Sequence, residues 1–367
     1  MLTLRDIIEG LGQGPESTAG WPAGIEAVSI TGTVVDSRQA QAGNLFVALP
    51  GERVDGHAYV GAALAAGASV ALVDQPVADV PVWEVGGEPP AELHLPFCIR
   101  VPNTLAALQR LAKWWRGRQD VRVVGITGSI GKTTTKELVW SVLRQCYRTL
   151  RSEGNYNNEI GLPLTLLKLE PAHERVVLEM GMYDIGEIRL LTEIAQPQVG
   201  VVTNVGPVHL ERVKTIERVA DAKAELVEAL PADGVAILNI DDPLVRAMAG
   251  RTKARAFYYG LQPEADLWAS DVESRGLEGI HMQLHYAGET VHVRAPLLGR
   301  HSVHTVLRAA AVGLVEEESW QEIVPGLQDL AAHIRLVATP GPNGSTLLDD
   351  TYNSSPASAI AALNLLD

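Results

Sequence analysis

An α/β protein of more than one domain is what this sequence predicts, and three observations carry that reading. The chain has 367 residues, too many for one hydrophobic core, and such a length suggests two or three domains. From residue 121 to about 260, short β-branched runs alternate with helical patterns: VRVVGIT, RVVLEM, VGVVTN, GVAILNI and ARAFYYG. That alternation means βαβ units on a mostly parallel sheet. The first of these runs opens into "GITGSIGKTTTKEL", which reads as a strand, a glycine-rich turn built to hold a phosphate, and a helix start.

Composition narrows the class. Hydrophobic residues make up 46% and charged residues 20%, ordinary proportions for a soluble globular protein. No apolar run approaches the roughly 18 residues of a membrane helix. The N-terminus, MLTLRDIIEG, lacks the apolar core of a signal peptide, so a cytoplasmic location and no membrane partner are expected. A net charge of −14 argues against nucleic-acid binding, which needs a basic face. Cys98 and Cys146 are too far apart for a zinc knuckle and too few for a disulfide framework. Cys146 extends the apolar stripe Leu138, Val139, Val142 and Leu143, so it is expected as a small core residue.

Taken in order, residues 45 to 74 read as strand, loop, Ala-rich helix and strand, a small α/β unit. Residues 76 to 97 are rich in Pro, Gly and Glu without a period, and are expected as an edge excursion or linker. Residues 278 to 298 switch to period two, with Ile280, Met282 and Leu284 on one face and His281, Gln283 and His285 on the other. A hairpin about Ala287 to Thr290 fits. His281, His285 and His292 then form a solvated polar face rather than a metal site.

The strict phosphate-loop pattern requires Gly five residues before the Gly-Lys pair. That position is Ile126 here. What stands is Gly128, Ser129, Ile130, Gly131, Lys132 and Thr133, followed by Thr134. Its chemistry survives the mismatch, because glycines let backbone N–H groups face an anion and the following helix adds its dipole. Lys132 can reach terminal phosphates, and the Thr133 hydroxyl can sit on Mg²⁺; the bland alternative is an incidental turn. Other strand ends add polar groups. Glu179 closes RVVLE, and Asn204 closes VGVVTN with His209 on the loop beyond, where ligands of α/β sheets bind. Lys223 falls within the apolar stripe Ile216, Val219, Leu226, Val227 and Leu230. An ammonium there must snorkel to solvent, find a partner or lose its charge; snorkelling is the bland answer, and modification to a carbamate, an anion able to ligate Mg²⁺, the sharp one.

Six ordered segments, "GITGSIGKTTTKE", "GNYNNEIGLPLTLL", "VVLEMGMYDIGEI", "TNVGPVHLE", "ADAKAE" and "LDDTYNSSPAS", resemble the Mur ligases of peptidoglycan synthesis. The Asn-Tyr-Asn-Asn and Tyr-Asn-x-x-Pro segments resemble the branch that adds D-alanyl-D-alanine. The resemblance runs from about residue 30 to the last residue. It implies a small N-terminal α/β domain binding the UDP-sugar-peptide (1–85), a linker (86–99), a central P-loop domain with a mostly parallel sheet (100–330), and the start of a Rossmann-like, amino-acid-binding C-terminal domain (331–367).

It also implies chemistry. The γ-phosphoryl of ATP passes to the terminal carboxylate of UDP-N-acetylmuramoyl-tripeptide, and the amine of D-alanyl-D-alanine attacks the acyl phosphate. ATP and Mg²⁺ are the implied cofactors, and a monomer is expected. By resemblance, Ser37 and Arg38 lie at the uridine-diphosphate end, and the loop residues Gly128 to Thr134 hold the phosphates, with Lys132 on the terminal ones. Thr133 and Glu179 hold one Mg²⁺; His209 and carbamylated Lys223 hold a second. Asn157 and Asn158 lie near the reacting carboxylate. Asn239 matches an adenine contact, Arg335 a phosphate contact and Asp350 a ribose contact.

Two departures stand out. The family's Gly-x-His-Asn-x-x-Asn run is Gly299-Arg300-His301-Ser302-Val303-His304-Thr305 here, with both amides replaced by hydroxyls. Weak adenine contact from that helix is therefore expected. The sequence also stops at Asp367, soon after the third-domain segment opens, so weak binding of both nucleotides without useful ligation is expected. A sibling ligase of the diamino-acid-adding or folylpolyglutamate type, and a nucleotide-binding scaffold without ligase activity, are the competing readings.

Overall fold

The computed structural model describes residues 2–12, 14–51, 54–208, 210–329, 337–349, 351, 359 and 363. The chain folds as two compact units, Met1–Asp120 with Glu159–Ala172, and Val121–Asn158 with His173–Asp367.

The first unit opens with β1 (Leu2–Thr3), α1 (Leu4–Gly12) and β2 (Ser29–Ile30), the two strands pairing antiparallel. It continues through β3 (Thr33–Val34), β4 (Leu45–Val47), α2 (Val60–Ala65), β5 (Val70–Val73), β6 (Val82–Glu84), β7 (Phe97–Arg100) and α3 (Thr104–Gly117). Five parallel strands lie in the order β3-β4-β5-β7-β6. Phe46, Ala48, Val60, Ala63, Ala71, Val73 and Cys98 pack together on it, as the strand–helix–strand reading of 45 to 74 requires. The Asn103 side chain accepts from the Ala106 amide at 2.7 Å and starts α3. Leu108, Leu111 and Trp115, spaced for one helical face, are buried behind it.

The linker expected at 86–99 is corrected here. Its last residues belong to β7, and β6 lies within the aperiodic stretch before it; both strands hydrogen-bond into the sheet. Strands of three and four residues are too short to show a period; β7 takes its place from β5, distant in sequence, and β6 pairs in turn with β7 at the sheet edge. The unit therefore runs on to residue 120 and takes in α3.

The second unit begins with β8 (Arg122–Thr127), α4 (Lys132–Leu143) and β9 (Thr149–Arg151). The chain then returns to the first unit for α5 (Gly161–Leu166). Back in the second unit come β10 (Arg175–Glu179), α6 (Glu187–Ala195), β11 (Val199–Val202), α7 (Leu210–Val213), α8 (Ile216–Glu228), β12 (Val235–Asn239), α9 (Pro243–Ala247) and β13 (Arg255–Gly260). They are followed by β14 (Leu267–Ser274), β15 (Ile280–Tyr286), β16 (Glu289–Ala295), α10 (Val303–Val315), α11 (Trp320–Gln328), and the antiparallel pair β17 (Val337–Pro340) and β18 (Thr346–Asp349).

All five β-branched runs are strands of one nine-stranded sheet, ordered β16-β15-β14-β13-β12-β11-β8-β10-β9. It is parallel from β9 to β14 and antiparallel beyond. β8 lies between β10 and β11, so later strands leave it on both sides. Such a switch point leaves a crevice at the strand's carboxyl end. The expected hairpin turns at Ala287 and Gly288, both at positive φ (50° and 84°), as a two-residue turn demands. Ile280, Met282 and Leu284 face the core. Strand β14 had no signal in the sequence, because its charges and a bulge between Ser270 and Glu273 break the alternation. Cys146 is also a correction: α4 ends at Leu143, one turn short, and the thiol is exposed.

Candidate active site

At the switch point the chain leaves β8 through Gly128, whose φ of 147° suits glycine. A Cβ there would stand 1.8 Å from Thr203 Oγ1, so the loop and the end of β11 can approach only because this residue has no side chain. Asn204 then braces the loop. Its carbonyl accepts from the Ser129 amide, its Oδ1 accepts from the Ile130 amide, and its Nδ2 donates to the Ile130 carbonyl, each at 3.0 Å. The amides of Ser129 and Ile130 are therefore engaged with Asn204 in this structure. Gly131, left-handed at φ 82°, turns the chain into α4. The amides of the first turn of α4 have no carbonyl ahead of them in the helix. Lys132 folds back over the loop, with Nζ donating to the Gly128 carbonyl at 2.9 Å and the Ser129 carbonyl at 3.4 Å.

A second cluster forms where β10 ends. Glu179 is buried, and one carboxylate oxygen accepts from Thr133 Oγ1 at 2.8 Å while the other accepts from Asn157 Nδ2 at 2.8 Å. Ser152 Oγ accepts from the Glu179 amide at 3.1 Å, and the Asn157 carbonyl accepts from the Gly181 amide at 2.8 Å. Thr133, Asn157 and Glu179, far apart in sequence, thus meet at the carboxyl edge of the sheet. Two oxygen donors on one small cluster are the hard ligand type that Mg²⁺ takes. Among the described residues no group of three or more His, Cys, Asp or Glu side chains is placed to hold a metal. A site with one carboxylate and one hydroxyl fits an ion that keeps waters and phosphate oxygens as its other ligands.

Lys223 lies within α8 with 1% of its surface exposed. It does not snorkel. No described residue accepts a hydrogen bond from its amine or pairs with it. Burial, and then the like charge of Lys132, pull its pKa from 10.5 down to about 7. A half-neutral amine in that range is a nucleophile as well as a base.

On the other side of the loop stands α10. The Ser302 hydroxyl donates to the Leu298 carbonyl at 2.8 Å, and Thr305 Oγ1 accepts from Arg308 Nη2 at 3.3 Å. Both hydroxyls are thus engaged within their own segment. Asn239 closes β12, and its Oδ1 accepts from the Asp241 amide at 3.1 Å.

Two family models match the chain: "Mur ligase family, catalytic domain" over residues 29–116 and "Mur ligase middle domain" over residues 126–313. The UDP-N-acetylmuramoyl-tripeptide–D-alanyl-D-alanine ligase of Bacillus subtilis is 38% identical over 346 residues, which is 93% of this chain and 71% of that protein. The chain belongs to the Mur ligase family. Its fold agrees: a crystal structure of MurF from Acinetobacter baumannii superposes with a TM-score of 0.84 at 30% identity, covering 99% of this chain and 76% of that one. MurF ligase from Thermotoga maritima, solved in complex with ADP, superposes at 0.76 with 27% identity, covering 91% and 74%.

In this Mur ligase the structure brings together Thr133, Glu179 and Asn157, and sets Lys132 on the loop beside them. Thr134 follows on α4, and Asn158 follows Asn157. Ser37 and Arg38 lie in the first unit, on a short 3₁₀ turn capped by Asp36. Arg38 is exposed and pairs with Asp36, holding that carboxyl down at about 2. His209, Arg335 and Asp350 lie outside the described residues, as do Tyr352, Asn353 and Pro356 of the Tyr-Asn-x-x-Pro segment. Sequence reasoning missed Ser152, the bracing role of Asn204, and Arg308. For Arg308 a signal existed, a cation inside the apolar run VLRAAAVGL, the same kind of anomaly that drew attention to Lys223.

Proposed function

We propose that this Mur ligase catalyses ATP-dependent amide-bond formation between UDP-N-acetylmuramoyl-tripeptide and D-alanyl-D-alanine, a step of peptidoglycan synthesis, working as a cytoplasmic monomer. Among the described residues no helix is long and apolar enough to cross a membrane. The observation that carries the reading is the chain of contacts from Asn157 through Glu179 to Thr133, beside a lysine-bearing phosphate loop. An amide side chain for a substrate, a carboxylate and hydroxyl for a cation, and an ammonium for phosphate charge sit on one edge. Phosphoryl transfer asks for positioning and charge neutralisation more than for covalent help.

Lys132 turns from the loop carbonyls of Gly128 and Ser129 to oxygens of the terminal phosphates. Thr133 and Glu179 would hold Mg²⁺, which when bound would neutralise developing charge on the transferred phosphoryl group. Asn157, fixed by Glu179, orients the accepting carboxylate, with Asn158 next to it. Asn239 reads the base. Ser37 and Arg38 bind the uridine diphosphate on the first unit. Burial supports carbamylation of Lys223: the neutral amine attacks the carbon of CO₂, an N–C bond forms, and one proton leaves to solvent. The resulting anion would offer a hard oxygen ligand for a second Mg²⁺, the role in which the sequence resemblance pairs it with His209.

Calorimetry with ATP and with UDP-N-acetylmuramoyl-tripeptide, together with mass detection of the ligated product, tests the reading. Both ligands are expected to bind, and Lys132→Ala is expected to lose ATP binding with the fold intact. A wild-type chain that binds neither ligand, or a Lys132→Ala variant with unchanged ATP affinity, would overturn it.

A further inference from the structure

Arg308 sits on α10 among Val306, Leu307, Ala309, Ala310 and Ala311, all fully buried, and is itself only 4% exposed. Its Nε donates to the His304 carbonyl at 2.7 Å and its Nη2 to Thr305 Oγ1 at 3.3 Å. Its Nη1, also buried, has no hydrogen-bond partner, and no described carboxylate pairs with the guanidinium. An apolar side chain at this position would avoid the cost of desolvating a charge. The placement of the unsatisfied arm gives that cost a purpose. Nη1 lies 3.3 Å, and Nη2 3.8 Å, from where a Cβ on Gly131 would stand. Gly131 is the last loop residue before Lys132, so the open edge of the guanidinium lies against the phosphate loop.

We propose that Arg308 is a phosphate-binding residue of the nucleotide site, its Nη1 donating to a phosphate oxygen of the nucleotide held by the loop from Gly128 to Thr133. The proposal rests on the reading of that loop as a nucleotide site. Two arms of a planar, rigid fork are held by α10 itself, which aims the third. The bound anion supplies the counter-charge that the protein withholds. Thr305 gains a role as well: a hydroxyl in place of an amide holds the guanidinium in plane instead of reading the base.

The test is calorimetric titration of the full chain with ADP and with inorganic tripolyphosphate, in wild type, Arg308→Met and Arg308→Lys, alongside melting of each ligand-free protein. Arg308→Met is expected to weaken both ligands by about tenfold to a hundredfold. Its ligand-free melting temperature should be unchanged or higher, because an uncompensated buried charge has gone. Arg308→Lys keeps the charge without the fork and should fall between. Equal affinities in wild type and Arg308→Met overturn the proposal. Loss confined to ADP also overturns it, since the arginine would then be reading the nucleoside. So does a Met variant that melts lower or does not fold while Arg308→Lys binds as wild type does, which marks the residue as structural. A wild-type chain that binds neither ligand fails the nucleotide-site reading itself, a result distinguishable from all of these.

Discussion

Two lysines of the second unit, Lys136 and Lys223, are wholly buried, and the fold treats them oppositely. Lys136 on α4 is 3.0 Å from Glu137 Oε1 and donates to the Gly154 carbonyl at 3.1 Å. Glu137 in turn meets Arg151 at 2.9 Å, and Arg151 stacks over Trp140. Lys223 on α8 has neither carboxylate nor carbonyl among the described residues. A compensated buried charge ties elements together, here the helix after the glycine-rich loop to the segment that leads to Asn157. An uncompensated one destabilises the fold, and its retention points to chemistry or to an anion that arrives later.

The largest expected effect tests the chemical half of that contrast. Lys223→Ala should lower ligase turnover by about a hundredfold or more, with folding intact and partial rescue by formate or acetate. Unchanged turnover in carefully CO₂-free buffer would remove the reason for distinguishing the two lysines. Next comes the structural half. Lys136→Met strands Glu137 beside a single remaining partner and should cost about 3 kcal/mol in urea unfolding. ADP affinity per folded molecule should stay within about twofold. A loss of affinity without a loss of stability would reverse the assignment.

A smaller effect follows from proton linkage. The folded state releases the Lys223 proton near pH 7, whereas the unfolded chain keeps it until about 10.5. The unfolded state binds more protons in that window, so wild-type stability rises with pH across it. The destabilisation is complete below 7 and fades towards 10.5. In CO₂-free buffer, Lys223→Met should therefore exceed wild type in stability most at about pH 6, and the margin should shrink by about pH 10. A margin independent of pH would mean that the amine is not desolvated in solution. The smallest effect separates burial from sequence pattern. Cys146→Ser, at an exposed thiol, should change stability by less than about 0.5 kcal/mol, whereas Cys98→Ser places a hydroxyl in the packed core of the first unit and should cost about 1–2 kcal/mol.

Local rules made much of the fold legible. The β-branched runs, the hairpin at Ala287-Gly288 and the turn from Gly128 to Gly131 obey period and glycine chemistry that neighbouring residues enforce. The failures have a common cause. β6, β7 and β14 are strands because of what they pair with, and Cys146 left the core because α4 ended at Leu143 rather than a turn later. Of the candidate residues, Lys132, Thr133, Glu179 and Lys223 stood out in the sequence as glycine-loop chemistry, a strand-end charge or a charge in an apolar stripe. Arg308 carried the same anomaly, but nothing in its own run of sequence says that Gly131 lies beside it.

By itself, then, the sequence determined the five β-branched strands of the second unit and its hairpin, where the glycine-rich loop turns, and which charges are out of place, since these depend on residues a few positions apart. Only the tertiary structure decided that β10 and β11 flank β8, and so brought Thr133, Asn157 and Glu179 into one hydrogen-bonded cluster. It also decided that residues 159–172 rejoin the first unit, that Asn204 occupies two loop amides, and that Arg308 points an unsatisfied arm at Gly131. The physical reason is that a hydrophobic period specifies which face is buried, while the partner that covers it is chosen by packing across long stretches of chain.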